Sequence, residues 1–120
     1  MTQRFKRASR VAELVHVELS RLLREEVRDP RVTATSVTDV RLSDDLRHAK
    51  VYVLPLGGQG DAEEHLEALD RTRGFLRSRL AQKLQLRYTP ELRFYRDEHF
   101  VEAMRMTELL GQFAEEEGEE

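Results

Sequence analysis

The feature that most constrains the fold is a change in the spacing of apolar residues at Asp29-Pro30. Before this point, from Val11 to Val27, they recur every three or four positions, which predicts an amphipathic helix with Ser9 as its N-cap. A residue that precedes proline is pushed out of the helical conformation, so the helix should end at Asp29. Beyond it the apolar residues alternate with polar ones, which is typical of strands. The chain should therefore combine helices and strands.

Two strands joined by a tight turn are predicted after the proline. Residues 32–42 are rich in Thr and Val, and Ala49, Val51 and Val53 occupy alternate positions. The connecting sequence Ser43-Asp44-Asp45-Leu46 consists of residues that favour turns. We expect an antiparallel hairpin.

Two helices, a third strand and a last helix are predicted for the remainder of the chain. The first helix begins at a capping Asp61, and Gly74 interrupts it before a second helix follows. Residues 91–96 read as a strand, and Asp97 caps a helix with apolar residues up to Phe113. The predicted fold class is α+β in the order α-β-β-α-α-β-α: a three-stranded mixed sheet, helices packed on one face, and a kinked helix pair at Gly74.

Length and composition fit a single domain of 120 residues, 39% hydrophobic and 36% charged, with no cysteine. We divide the chain into a basic flexible N-terminus at 1–8, a folded domain at 9–113 and an acidic disordered tail at 114–120. The lack of cysteine excludes disulfides and thiolate metal sites, which fits a reducing cytosol. No stretch approaches the roughly 20 apolar residues of a membrane span. We expect a soluble cytoplasmic protein with no membrane partner.

Positive charge is concentrated in two blocks, although the net charge of the chain is −3. Residues 71–96 carry eight bases and one acid, residues 1–10 carry four bases, and residues 115–120 hold five of the 23 acids. The acidic tail alone accounts for the sign of the net charge. A polyanionic partner is therefore compatible with this composition.

Four motifs in this order closely resemble the bacterial ribosome-binding factor A family. They are Asp29-Pro30-Arg31, Ser43-Asp44-Asp45-Leu46 running into residues 49–53, Gly74-Phe75-Leu76-Arg77, and Pro90-Glu91-Leu92-Arg93-Phe94 with Asp97. The element order is also similar to that of a type II KH domain, an RNA-binding fold. The resemblance implies a non-enzymatic cytoplasmic factor that binds the small (30S) ribosomal subunit and its 16S rRNA during late maturation and rRNA processing, with a role in cold adaptation. The family's Ala-x-Gly kink reads Thr72-Arg73-Gly74 here.

The RNA contact is predicted at the kink and on the helix after it, because a helix N-terminus flanked by basic side chains suits a phosphate. The basic N-terminal block is a second candidate. The predicted RNA-binding residues are Arg71, Arg73, Gly74, Arg77, Arg79, Lys83 and Arg87, together with Arg4, Lys6, Arg7 and Arg10 in the N-terminal block.

The basic, aromatic and glycine residues of these motifs also have explanations other than RNA binding. The bases could be solvated residues on the flanks of an amphipathic helix, and the chain could be a protein–protein interaction module with no direct RNA contact. Tyr52, Tyr88 and Tyr95 could stack on bases or simply pack within the fold. Gly57-Gly58-Gln59-Gly60 spells a G-x-x-G, but it precedes the helix pair, and we interpret it as a flexible loop and not a phosphate cradle.

Catalysis is not expected from this sequence. It contains no P-loop, nucleophile elbow or H-E-x-x-H motif. Asp44, Asp45 and His48 lie in a turn and point in different directions, so we predict no metal, no cofactor and no small-molecule substrate. A core that is complete in one chain, without a heptad seam, favours a monomer.

Overall fold

The structure, a computed structural model, combines helices with one three-stranded sheet. It describes residues 2–56 and 61–118, with side chains described for residues 6–56 and 61–115. The loop Gly57-Gly58-Gln59-Gly60 lies outside the described residues. The elements in chain order are α1 (Thr2–Glu25), α2 (Pro30–Thr33), β1 (Thr35–Leu42), β2 (His48–Pro55), α3 (Ala62–Leu84), β3 (Glu91–Arg96) and α4 (Glu98–Gly118). The predicted α+β class with a mixed sheet is confirmed.

Helix α1 begins at Thr2, so the prediction that Ser9 caps it is wrong. The residues upstream of Ser9 include neither proline nor glycine, and Lys, Arg, Gln and Ala are good helix formers, so nothing stops the helix at that point. Ala8 is already buried. The predicted boundary of the N-terminal segment at residue 8 therefore falls inside a helix.

Asp29-Pro30 starts a short helix that the sequence pattern did not indicate. Pro30 occupies the first turn of α2, and the Asp29 carboxylate accepts a hydrogen bond from the Arg31 N–H at 3.0 Å. Val32, which was expected in the first strand, is fully buried in α2, and β1 begins only at Thr35.

The sheet has the order β1-β2-β3, with β1 and β2 antiparallel and β2 and β3 parallel. The predicted hairpin is confirmed: the Asp45 carboxylate accepts from the Ser43 hydroxyl at 2.6 Å and from the Arg47 N–H at 3.0 Å, while Leu46 adopts a φ of 64°. A bulge at Thr38 shifts the register between Val37 and Asp39.

The core lies between one face of the sheet and the helices α1 and α3. The inner face of the sheet, which points toward these helices, carries the buried Ala49, Val51, Val53, Leu92 and Phe94. The core residues from α1 and α3 include Val15, Leu19, Leu22, Leu69, Leu76 and Leu80. The opposite, outer face is covered by neither helix.

Helix α3 is one continuous helix, so the predicted helix pair with a break at Gly74 is wrong. A single glycine inside a helix costs about 1 kcal/mol relative to alanine, which the packing of Leu69, Leu76 and Leu80 on the sheet outweighs. A Cβ atom placed on Gly74 would meet no atom within 4 Å. The helix ends at Leu84, where Gln85 takes a left-handed φ of 49° as its C-cap.

Helix α4 extends away from the core. Asp97 caps it as predicted, because its carboxylate accepts from the Phe100 N–H at 2.9 Å. The apolar residues expected to pack instead lie exposed: Phe100, Met106, Leu110 and Phe113. The helix also runs to Gly118, through much of the tail predicted to be disordered from residue 114. Alanine and glutamate in that run are good helix formers, and the single Gly111 before them does not end the helix. Within residues 2–56 and 61–118, no helix is long and apolar enough to cross a membrane.

Candidate nucleic-acid interface

A cationic groove lies where helix α3 packs beside the edge strand β3. Arg73 and Arg77, one turn apart on α3, line this groove of about 340 Å³ together with Arg93, Leu92 and one carboxylate residue, Glu91. The Arg77 guanidinium donates to the backbone carbonyl of Thr89 through Nη2 at 2.9 Å and Nε at 3.3 Å. This contact fixes the guanidinium at the rim of the groove and leaves its other N–H groups available to an anion.

A second cleft adjoins this groove and contains an aromatic ring between two arginines. The guanidinium carbon of Arg47 lies 4.8 Å from the centroid of the Tyr88 ring, and that of Arg87 lies 5.4 Å from it. The cleft, of about 780 Å³, is also bordered by Gly74 and Arg77. It therefore offers positive charge and an aromatic face, the two features that bind nucleotides without sequence preference.

Sequence reasoning missed Arg47. It stands alone after the hairpin turn, far in sequence from both basic blocks, and the parallel pairing of β2 with β3 brings it to Tyr88. Its backbone carbonyl accepts from the Glu91 N–H at 2.8 Å. The turn signal at Ser43–Leu46 located the hairpin, but no local signal indicated which element its end would meet.

Arg79 lies on the opposite flank of α3 from Arg77. Its Nε is 3.6 Å from a Glu26 carboxylate oxygen, and its guanidinium carbon is 5.2 Å from the Phe75 ring centroid. Two residues along a helix are separated by about 200° of rotation, so Arg77 and Arg79 cannot face the same groove. The groove therefore contains Arg77 but not Arg79, and an RNA contact of Arg79 stays a prediction.

The other predicted residues on α3 are exposed but lie outside the groove. Arg71 donates from Nε to the Glu67 carbonyl one turn earlier, at 3.4 Å, and Lys83 lies near the C-terminus of the helix. The bases that line the groove and the cleft beside β3 are Arg47, Arg73, Arg77, Arg87 and Arg93.

The N-terminal block approaches this surface through one residue. Arg7 borders a pocket of about 510 Å³ with Arg87 and Tyr88 on one side and Asp44 and Asp45 on the other. Lys6 and Arg10 are exposed on α1, and the side chain of Arg4 lies outside the described residues. The fold thus brings Arg7 to the β3 side of the molecule.

The predicted phosphate site at a helix N-terminus after Gly74 is not present, because α3 is continuous there. Backbone N–H groups in the middle of a helix already donate within the helix, so they cannot bind an anion. The true N-terminus of α3 is capped by Asp61, whose carboxylate accepts from the Glu63 N–H at 2.9 Å, and Glu63 and Glu64 follow. Anion binding at α3 must therefore come from side chains.

The carboxyl groups and the histidine with shifted pKa values are explained by caps, turns and the core. Hydrogen bonds from Arg31, Ser43 and Thr38, respectively, lower the pKa of Asp29, Asp45 and Asp97. Burial lowers the pKa of His65, whose Nε2 lies 2.7 Å from the Thr35 hydroxyl. These groups are dispersed over the fold, and none of them lies in the cationic groove.

Comparison with known proteins agrees with this architecture. The family model described as ribosome-binding factor A matches residues 7–110. Ribosome-binding factor A of Nitrosococcus oceani is 43% identical over 117 residues, which cover 98% of this chain and 92% of the relative.

A crystal structure and a fitted homology model of ribosome-binding factor A from Thermus thermophilus are also similar to this chain. The crystal structure has a TM-score of 0.67 at 28% identity and covers 74% of this chain and 93% of its own. The homology model, which was fitted into the cryo-EM map of a complex with 30S, has a TM-score of 0.53 at 34% identity and covers 68% of this chain and 90% of its own. The resemblance inferred from the four motifs is thus confirmed, and the chain belongs to the ribosome-binding factor A family, whose structures have a KH-like fold.

Proposed function

We propose that this protein binds the small (30S) ribosomal subunit through 16S rRNA, with the cationic groove beside β3 as the contact surface. The observation that carries the proposal is the convergence of Arg73, Arg77 and Arg93 on one groove, next to Tyr88 with its two arginines. A Thermus thermophilus relative has been fitted into a map of its complex with 30S, which supports the choice of partner.

Each group in this surface has a chemical role. The guanidinium of Arg77, held by the Thr89 carbonyl, and that of Arg73 bind phosphates, because the planar donor fork matches phosphate oxygens. The Tyr88 ring holds the guanidinium groups of Arg47 and Arg87, and these groups bind neighbouring phosphates. Gly74 borders the cleft without a side chain and so allows the backbone of the RNA to approach α3.

The wider role follows from family membership. We propose a non-enzymatic, cytoplasmic factor that acts as a monomer in late 30S maturation and 16S rRNA processing and contributes to cold adaptation. A factor of this kind must bind and release its subunit, which suits an exposed, electrostatic surface.

Cosedimentation with purified 30S subunits tests the contact surface. The double variant Arg73→Glu/Arg77→Glu removes two phosphate partners and adds two repulsive charges, so we expect binding to weaken by at least about tenfold and the salt dependence to flatten by up to about two units. Arg28→Glu/Arg105→Glu is the matched control, because it changes the net charge equally at two exposed positions outside the groove.

The control should bind within about twofold of wild type, and circular dichroism should show both variants folded. If the groove variant folds and binds like the control, the groove is not the contact surface.

A protein–protein interaction module is the alternative, and one observation favours it. Met106, Leu110 and Phe113 lie exposed along one side of α4, each about 60% accessible to solvent. A salt titration of the 30S complex separates the two functions. Phosphate binding gives an affinity that falls steeply and linearly with salt on a double logarithmic plot, whereas an apolar protein contact is far less sensitive.

A further inference from the structure

The outer face of the sheet carries three cations in one row across the strands. The antiparallel register places Arg41 opposite Lys50, and the parallel register places Lys50 opposite Arg93. Neighbouring strands lie about 4.8 Å apart, so these three side chains project from adjacent positions on the same face. All three are exposed.

This row is unfavourable for the isolated fold, because like charges directly opposite each other destabilise a sheet. Only Arg41 has a carboxylate partner among the described residues, Asp39 at 3.1 Å. The other carboxylate on this face, Glu91, lies 3.7 Å from His48. Glu91 also lines the groove beside Arg93, but among the described residues neither Lys50 nor Arg93 forms an ion pair.

Two tyrosines form the next row along the strands. The register pairs Tyr52 with Tyr95, and their ring centroids are 5.8 Å apart with an interplanar angle of 33°. Tyr95 is 38% exposed, and the guanidinium carbon of Arg41 lies 5.7 Å from the Tyr52 centroid. A step of two residues along a strand is about 7 Å, so the aromatic row lies directly beside the cationic row.

The surface is open and continuous with the cationic groove. Helices α1 and α3 pack on the inner face, and α4 begins beyond the tyrosine row, where Phe100 lines a cavity with Leu54 of the sheet. Arg93 belongs to both surfaces: it lines the groove beside α3 and ends the cationic row on the sheet. Because β3 is an edge strand, an extended ligand can pass around it from the groove to the outer face of the sheet.

We propose that this outer face is a second RNA-binding surface, specific for single-stranded RNA. Phosphates of the strand lie along Arg41, Lys50 and Arg93, and an unpaired base stacks on the Tyr52–Tyr95 pair. Charge complementarity and exposed aromatic rings select a flexible polyanion with accessible bases, which describes single-stranded RNA and not a duplex or an acidic protein. The inference rests on the proposed function for the choice of RNA, but it uses a different face of the molecule.

Fluorescence anisotropy with a labelled oligouridylate of about ten nucleotides tests the surface in the full chain. Lys50→Glu should weaken binding by about tenfold and flatten the salt slope by about one unit. Tyr95→Ala should weaken it by about tenfold as well, whereas Tyr95→Phe, which keeps the aromatic face, should stay within about twofold of wild type. Arg28→Glu is the single-charge control, and an RNA duplex of equal length should bind more weakly than the oligouridylate.

The outcomes separate this proposal from the function proposed above. If wild type does not bind the oligouridylate, or if Lys50→Glu and Tyr95→Ala fold and bind it like wild type, the outer-face surface is overturned. Equal loss in Tyr95→Phe and Tyr95→Ala overturns the stacking role. If Arg73→Glu/Arg77→Glu keeps full 30S binding while the outer-face variants lose oligouridylate binding, the groove assignment fails and this inference stands.

Discussion

Replacing Lys50 with glutamate should raise the stability of the isolated protein, in contrast to its effect on RNA binding. Lys50 stands between Arg41 and Arg93 on the outer face, so the substitution converts two repulsive cross-strand pairs into attractive ones. Cross-strand charge pairs are worth about 0.2–1 kcal/mol each. Exposure to solvent favours the low end of this range, and the Asp39 carboxylate already holds Arg41. We expect a gain of about 0.5–1 kcal/mol.

A gain of this size corresponds to a rise in Tm of about 2–4 °C for a domain of this length. Thermal melts by circular dichroism at about 50 mM salt measure this rise in Tm. Lys50→Gln is the control, because it removes the repulsion without adding attraction, and its Tm should fall between those of wild type and Lys50→Glu. Because the row is exposed, the gain should shrink at about 0.5 M salt. A Lys50→Glu variant that melts below wild type, or a gain in Tm that salt does not change, would refute the claim that charge repulsion within the row destabilises the sheet.

Four further outcomes are expected. Gly74→Ala should raise the free energy of unfolding in urea by about 0.5–1 kcal/mol, because the position is helical and its Cβ meets no atom within 4 Å; a loss would show that the glycine backbone is needed. Burial lowers the pKa of His65, so the unfolded chain takes up a proton at a higher pH than the folded chain does. The free energy of unfolding should therefore be largest above about pH 6.5 and decrease toward about pH 5. Urea unfolding should show a flatter pH dependence in His65→Gln. Deletion of residues 115–120 should leave Tm nearly unchanged in a thermal melt, since Ala114 and Glu115 are exposed, and a clear drop would show that the tail docks. Light scattering at micromolar concentration should give a monomer, and a stable dimer would point to the exposed side of α4 as a self-association surface.

Local chemistry allowed the strands to be predicted from the sequence. Alternation placed Val51, Val53 and Leu92 on the inner face, and the turn residues from Ser43 to Leu46 determined the hairpin. Asp97 was recognisable as a cap because it follows a strand pattern and precedes an apolar helix pattern. Each of these signals depends on neighbours within a few positions, which the sequence shows directly.

The helix boundaries could not be predicted in the same way, because they depend on what stops a helix and what packs on it. Gly74 is a weak helix breaker, and the contacts of α3 with the sheet overcome it. Helix α1 starts at Thr2 because the residues upstream of Ser9 include neither proline nor glycine, and α4 continues through the single Gly111 to Gly118. The apolar residues of α4 are exposed because this helix extends away from the core. The direction of the helix is part of the tertiary structure, which the local sequence does not indicate.

The candidate site could be predicted only in part, because strand pairing and helix packing decide which side chains meet. The spacing along the helix identified Arg73 and Arg77 as neighbours and placed Arg79 on the other border of the buried stripe, but only the fold shows that Arg79 pairs with Glu26. Arg47 and the Arg41–Lys50–Arg93 row depend on strand register across three strands, including one parallel pair. A scan for clusters of charge along the chain cannot detect a row whose members are far apart in sequence.

The arrangement of charge explains how a chain with a net charge of −3 can bind a polyanion. On α1, the Arg21 guanidinium lies 2.5 Å from Glu18, 3.0 Å from Glu25 and 2.8 Å from Glu26, so three carboxylates share one cation. These carboxylates keep the pKa of Arg21 above its ordinary value. The excess negative charge of the chain lies in residues 97–120, which carry nine acids and one base, whereas the charged residues of the groove beside β3 and of the row on the outer face are mainly bases. Such a dipole turns the β3 edge toward RNA during approach, which raises the association rate without a positive net charge. Salt should consequently slow association before it weakens the bound complex, because the steering acts over distances beyond a Debye length.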